Sequence, residues 1–141
     1  GPASLISPIM KAHQFVTFTT SPALQIGVAH GLDHEQEWYL DFPRQLAKRR
    51  DSLVAGLNAA GWRTMPCEGT YFVTADFRPL SNANDVDFAR ALTIGGGVTT
   101  IPLSVFYGSD GPTHFVRFAF CKKQATIDAA LTRLASAKAP T

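Results

Sequence analysis

Apolar positions along this chain follow one period in its middle and another beyond it. Leu46, Leu53, Val54, Leu57 and Ala60, with Arg50 in the same series, recur at steps of three and four. That spacing marks one face of an amphipathic helix, and Gly61 supplies its stop. The helical region opens at Asp33, a capping residue, with Glu35 and Glu37 near the positive end of the dipole. Pro43 is expected to kink or restart it, with Asp41 as a local cap. From residue 62 the period drops to two. "TYFVTADF" sets Tyr71, Val73, Ala75 and Phe77 against Thr70, Thr74 and Asp76, the alternation of a half-buried strand. "HFVRFAF" does the same, with Val116, Phe118 and Phe120 on one face and Phe115, Arg117 and Ala119 on the other.

Between and beyond these strands the pattern gives a helix from Asn84 to Leu92, with Asn84 as cap and Asp87 at its third position. The triplet Gly95 to Gly97 ends it, "VTTIPLS" reads as a strand, and Ala125 to Ala137 reads as a terminal helix with Ile127, Leu131 and Leu134 on one side. In the first third, Ser7-Pro8 and Ser21-Pro22 each predict a helix start, serine as cap and proline at the first helical position. "HQFVTFTT" between them is a connection or short strand, and Gly31 closes the second helix. The order β, β, α, β, β, α after a long helix predicts an α+β unit with helices covering one face of a small sheet. Residues 1 to 32 do not belong to that unit by pattern and read as an arm of something larger.

Composition narrows the function classes. The 141 residues are 45% hydrophobic and 17% charged, the make-up of a folding domain. A net charge of +2 leaves no electrostatic footprint for nucleic acid, and the one basic cluster, Lys48 to Arg50, reads as a solvated helix face. Cys67 and Cys121 match no metal or CxxC spacing and read as buried thiols of a reducing compartment. There is no secretory signal pattern and no apolar run of membrane-spanning length, so cytoplasm is the expectation. His13, His30, His34 and His114 share no metal-ligand spacing; His30 and His34 are four apart, but Gly31 is expected to interrupt a shared helix. No metal site is predicted. The glycine triplet follows a helix and precedes a strand, the reverse of the dinucleotide fingerprint, so helix termination is its reading.

Arg117 is the residue this pattern leaves in question. A guanidinium between large apolar strand neighbours either snorkels to water from an open face or is aimed into a cleft. In the second case its planar fork of donors on a rigid strand suits a substrate carboxylate held by two hydrogen bonds. The alternation alone leaves both readings open.

Five separated blocks carry a family resemblance. "GPASLISPIMKAHQFVTF", "RRDSLVAGLNAAGW", "PCEGTYFVTADF", "GVTTIPLSVFYGSD" and "HFVRFAFCK" resemble, in order, the C-terminal part of a class I/II aminotransferase, a fold-type I pyridoxal-phosphate enzyme. The nearest branch holds methionine and kynurenine aminotransferases. The resemblance implies residues 1–32 as a remnant of the large cofactor-binding domain, 33–61 as the interdomain helix and 62–141 as the small C-terminal domain. It implies that Arg117 binds the substrate α-carboxylate and that Phe18 and Thr19 reach the neighbouring subunit's site, Thr19 standing where many relatives of this branch have histidine. Tyr71, Phe106 and Tyr107 are implied as pocket-lining residues, with packing in the small-domain core as the other reading; Ser104 is read as structural. None of Lys11, Lys48, Lys122, Lys123 or Lys138 lies in a motif matching the Schiff-base lysine, so no catalytic residue is expected in this chain. The implied whole is a cytoplasmic homodimer that moves an amino group between an amino acid and a 2-oxo acid on pyridoxal 5'-phosphate, this chain alone being inactive. The alternatives are a stand-alone α+β binding or assembly domain, or part of a carbon–sulfur lyase on the same fold.

Overall fold

A computed structural model describes residues 1–136. The chain divides into two compact units, residues 1–41 and 42–141, with the boundary inside a helix. In the first unit, α1 spans Ala3–Val16 and α2 spans Pro22–His34. Neither has a buried residue, and Leu5, Ile9, Met10, Phe15, Leu24, Ile26 and Val28 are all exposed. Helix α1 begins at Ala3 after Pro2, so Pro8 lies inside it rather than at its start; Ala3, Leu5, Ile6, Met10 and Ala12 are good helix formers on both sides of the proline. His13 to Val16 are helical too, leaving only residues 17–21 as the connection. Ser21 takes the N-cap position of α2 with Pro22 at the first helical position, although its side chain makes no capping hydrogen bond. Gly31 does not close it. The helix continues to His34, so Asp33 is helical and is not a cap, and the rings of His30 and His34 stack at 4.2 Å on one helix face.

Helix α3 spans Gln36–Ala59 and runs through Pro43 without a break in its range. Gly61, at φ +88°, turns the chain out of it, a backbone region open to glycine. Beyond it come β1 (Arg63–Thr64), β2 (Phe72–Asp76), α4 (Asp85–Ala91), β3 (Ile101–Pro102), β4 (Phe115–Ala119) and α5 (Gln124–Ser136). The four strands form an antiparallel sheet in the order β1-β2-β4-β3. The expected α+β architecture is therefore the observed one.

Register fixes the two faces of the sheet. Val73 is opposite Phe118 and Ala75 opposite Val116, and all four are buried. Against them pack Leu53 and Leu57 of α3, Phe88 and Ala89 of α4, and Ile127 and Leu134 of α5, so the helices cover this face. Trp62 meets Phe118 and Phe88 edge-on at 5.0 and 5.6 Å, and Phe77 stacks on Phe88 at 4.0 Å. The other face carries the row Thr74, Arg117, Ile101 across three strands.

Two elements differ from the pattern. "VTTIPLS" forms only the two-residue strand Ile101–Pro102, because proline offers the ladder no donor and the chain then coils into a one-turn 3₁₀ helix, Ser104–Phe106. Helix α4 does not end at the glycine triplet directly. It widens into a π-helical turn, Leu92–Gly96, and stops at Gly97 with φ +64°. Of the expected terminal helix, Ala137 lies outside the described residues, as does Lys138. The two cysteines are not the buried thiols expected: Cys121 is exposed just past the end of β4, and Cys67 is half-buried in the segment before β2.

Candidate functional site

Strand β4 lies between β2 and β3, so Arg117 stands on an interior strand with a neighbour on either side. Its Cα pairs with Thr74 and Ile101 on the sheet face away from the core, and it is half-buried. The guanidinium carbon lies 4.6 Å from the centroid of the Phe106 ring, a cation–π contact. The guanidinium thus lies against an aromatic ring. Among the described residues no carboxylate pairs with the Arg117 guanidinium and no side-chain hydrogen bond engages it.

Phe106 owes its place to the turn that carries it. The ring is 59% exposed, so burial does not hold it there. The turn hangs from the sheet by Leu103 N–H donating to Phe115 O at 3.1 Å, and closes on itself through Phe106 N–H to Leu103 O and Tyr107 N–H to Ser104 O. Its remaining tie runs to α4. The Asp85 carboxylate, 0% exposed, accepts the Ser104 backbone N–H at 2.7 Å and the Ser104 hydroxyl at 2.8 Å. Sequence reasoning had no signal for this clasp, whose partners are nineteen residues apart.

The other sequence-derived site residues distribute as follows. Tyr107 follows Phe106 in the turn and is exposed; a Cβ on Gly111 would lie 2.8 Å from its Cβ, so the glycine permits this close approach. Tyr71 lies just before β2 on the core-facing parity, its ring tilted against Phe72 at 4.5 Å. It lines a surface depression with Pro43, Leu46, Arg50, Glu68 and Phe120, and is not part of the Arg117–Phe106 pair. Phe18 and Thr19 belong to the first unit, in the connection between α1 and α2. Phe18 is 83% exposed at φ +46°, an uncommon conformation for a bulky residue and one that clusters at functional sites. Thr19 Oγ donates to Thr20 O at 3.3 Å and accepts from Gln25 Nε2 at 3.5 Å.

Cofactor attachment needs a lysine sheltered enough to be a neutral nucleophile. Lys11, Lys48, Lys122 and Lys123 are all exposed, so the described residues do not fit covalent attachment of pyridoxal phosphate, and no step through it is derived. Among the described residues no three His, Cys, Asp or Glu side chains cluster to hold a metal, and no helix is long and apolar enough to cross a membrane.

The sheet thus carries helices on one face and, on the other, an arginine whose guanidinium lies over an aromatic ring. The chain belongs to the aminotransferase class I and II family, whose model matches residues 1–134. The family implies pyridoxal phosphate as cofactor. Among its relatives, methionine aminotransferase of Escherichia coli K12 is 41% identical over 133 residues, 94% of this chain and 34% of that protein. The kynurenine–oxoglutarate transaminase of Dictyostelium discoideum is 31% identical over 98% of this chain and 37% of its own length. Among solved structures, an E. coli protein with methionine aminotransferase function superposes with a TM-score of 0.83 at 40% identity, covering 96% of this chain and 35% of that one. N-succinyldiaminopimelate aminotransferase from Mycobacterium tuberculosis gives 0.82 at 39% identity, covering 96% and 36%. The chain thus spans about a third of the length of these relatives.

Proposed function

We propose that this chain is the C-terminal part of a pyridoxal-phosphate-dependent aminotransferase in which Arg117 grips the α-carboxylate of the amino acid and of the 2-oxo acid. One observation supports the reading: Arg117 sits on an interior strand, its guanidinium over the Phe106 ring and without a hydrogen-bond or ion-pair partner among the described residues. A fork of N–H groups held on a rigid strand presents two parallel donors to a carboxylate at little entropic cost. Phe106 and Tyr107, on the turn beside it, line the same place. Phe18 and Thr19 serve the neighbouring subunit's site of a cytoplasmic homodimer, and Tyr71 lines the cleft from the other end of β2. Residues 1–32, 33–61 and 62–141 correspond on this reading to the edge of a large domain, an interdomain helix and the small domain. The 141 residues alone do not turn over.

The test uses the protein at the length of its relatives. Arg117→Ala is expected to raise the KM for the amino acid by the equivalent of about 2–5 kcal/mol, the usual loss when one partner of a desolvated charge pair is removed. Arg117→Lys should recover little, since an ammonium lacks the fork. An unchanged KM in Arg117→Ala would remove the assignment. A full-length protein that shows no visible cofactor absorbance and converts no amino acid to a 2-oxo acid would remove the activity itself.

A further inference from the structure

Phe106 lies over Arg117, and the described residues leave it largely exposed. We propose that Asp85 is a positioning residue for the carboxylate grip: through Ser104 it pins the turn that sets Phe106 over Arg117. The inference rests on the reading of Arg117 given above and adds to it a residue outside the site.

Three features carry it. First, Asp85 is wholly buried, and among the described residues both of its carboxylate oxygens are engaged by Ser104 and by no cation. A buried carboxylate is costly, and one whose hydrogen bonds all go to a single residue acts on that residue. Second, Ser104 is the first residue of the turn and Phe106 the last, so fixing the backbone N–H and the hydroxyl of Ser104 fixes the direction in which the turn leaves β3. Third, the clasp ties the turn to α4, which is itself part of the core through Phe88 and Ala89. The order of transmission is therefore core, α4, Asp85, Ser104, Phe106, Arg117. Losing the clasp frees a one-turn helix that otherwise hangs from the sheet by Leu103 alone, and Phe106, exposed as it is, then samples other rotamers. The guanidinium then loses the aromatic neighbour over which it lies.

Asp85→Asn and Ser104→Ala, in the protein at the length of its relatives, test this. Ser104→Ala is the gentler change, since it removes one hydrogen bond and keeps the backbone N–H on Asp85. It carries the test if Asp85→Asn does not fold. The readout is the KM for an amino acid beside that for the amine of the same side chain without its carboxylate. Expected is a roughly 10- to 100-fold rise in the amino-acid KM, the effect of a misplacement of about an ångström, with kcat unchanged, the KM for the amine unmoved, and Ser104→Thr close to wild type. In an Arg117→Ala background neither change should add anything. Equal losses on amino acid and amine would show a merely structural role and overturn the proposal. So would an unmoved amino-acid KM in both variants while Arg117→Ala raises it. If Arg117→Ala itself leaves the KM unmoved, the carboxylate reading fails first and this one with it.

Discussion

Asp76 closes β2 with its carboxylate almost fully buried, accepting from the Nε and Nη2 of Arg78 and from the Arg78 backbone N–H at 3.0 Å. The Arg78 side chain holds the carboxyl below its ordinary value, burial opposes this, and the Arg78 backbone and charge and His114 add to the lowering. A carboxyl lowered in the folded state stabilises fully above its unfolded pKa of about 3.9, and that contribution is lost as pH falls through the folded value. Asp76→Asn is therefore expected to melt earlier than wild type at pH 7, with the gap closing as pH is taken below about 4; melting curves across pH 2–7 check it, and a gap constant over that range would show that the charge plays no part. Residues such as Arg117 announce themselves in the sequence because alternation makes one charged side chain among apolar neighbours visible. Phe106 and Asp85 do not. Their roles come from contacts across eleven and nineteen positions that only the folded chain closes.

Helix α4 shows how an element can be legible at its start and obscure at its end. Asn84 Oδ1 accepts the Asp87 N–H at 2.9 Å and Asn84 Nδ2 donates to Asp87 Oδ2 at 2.7 Å, the capping arrangement that the spacing predicts. Asn84→Ala should cost about 1 kcal/mol of stability in denaturant titration. A change in stability near zero would mean that α4 is held by its core residues alone. Strands β2 and β4 and the core-facing stretch of α3 were readable for the same reason as the cap, since local chemistry and packing ask for the same residues there. Of the first two helices, the start of α2 was readable, but the start of α1 and the end of α2 were not. Pro8 and Gly31 punctuate a sequence only on average, and good helix formers on both sides carry α1 and α2 through them. The strand expected over "VTTIPLS" fails because Pro102 has no donor and the Asp85–Ser104 clasp draws the next residues into a turn.

At the scale of the whole molecule, stability resides in one unit. Every member of the buried core, from Leu53 to Leu134, lies beyond residue 41, whereas α1 and α2 bury nothing. A chain cut to residues 42–141 should thus keep its cooperative unfolding. The cut removes the first turns of α3, but it leaves Pro43 in the new first turn, where a missing N–H costs nothing. It also removes Trp38, exposed in the first unit, and leaves Trp62, set edge-on between Phe88 and Phe118, as the single tryptophan. Thermal unfolding followed by that one fluorophore should show a sharp transition within about 4–8 °C of that in the 141-residue chain, the shift that roughly 1 kcal/mol produces in a domain of this size. A broad, featureless melt would mean that the apolar residues of α1 and α2 supply stability that their exposure does not show. The sharp transition would instead show that α1 and α2, whose Phe15 and Val16 are exposed, add little to the stability of the core.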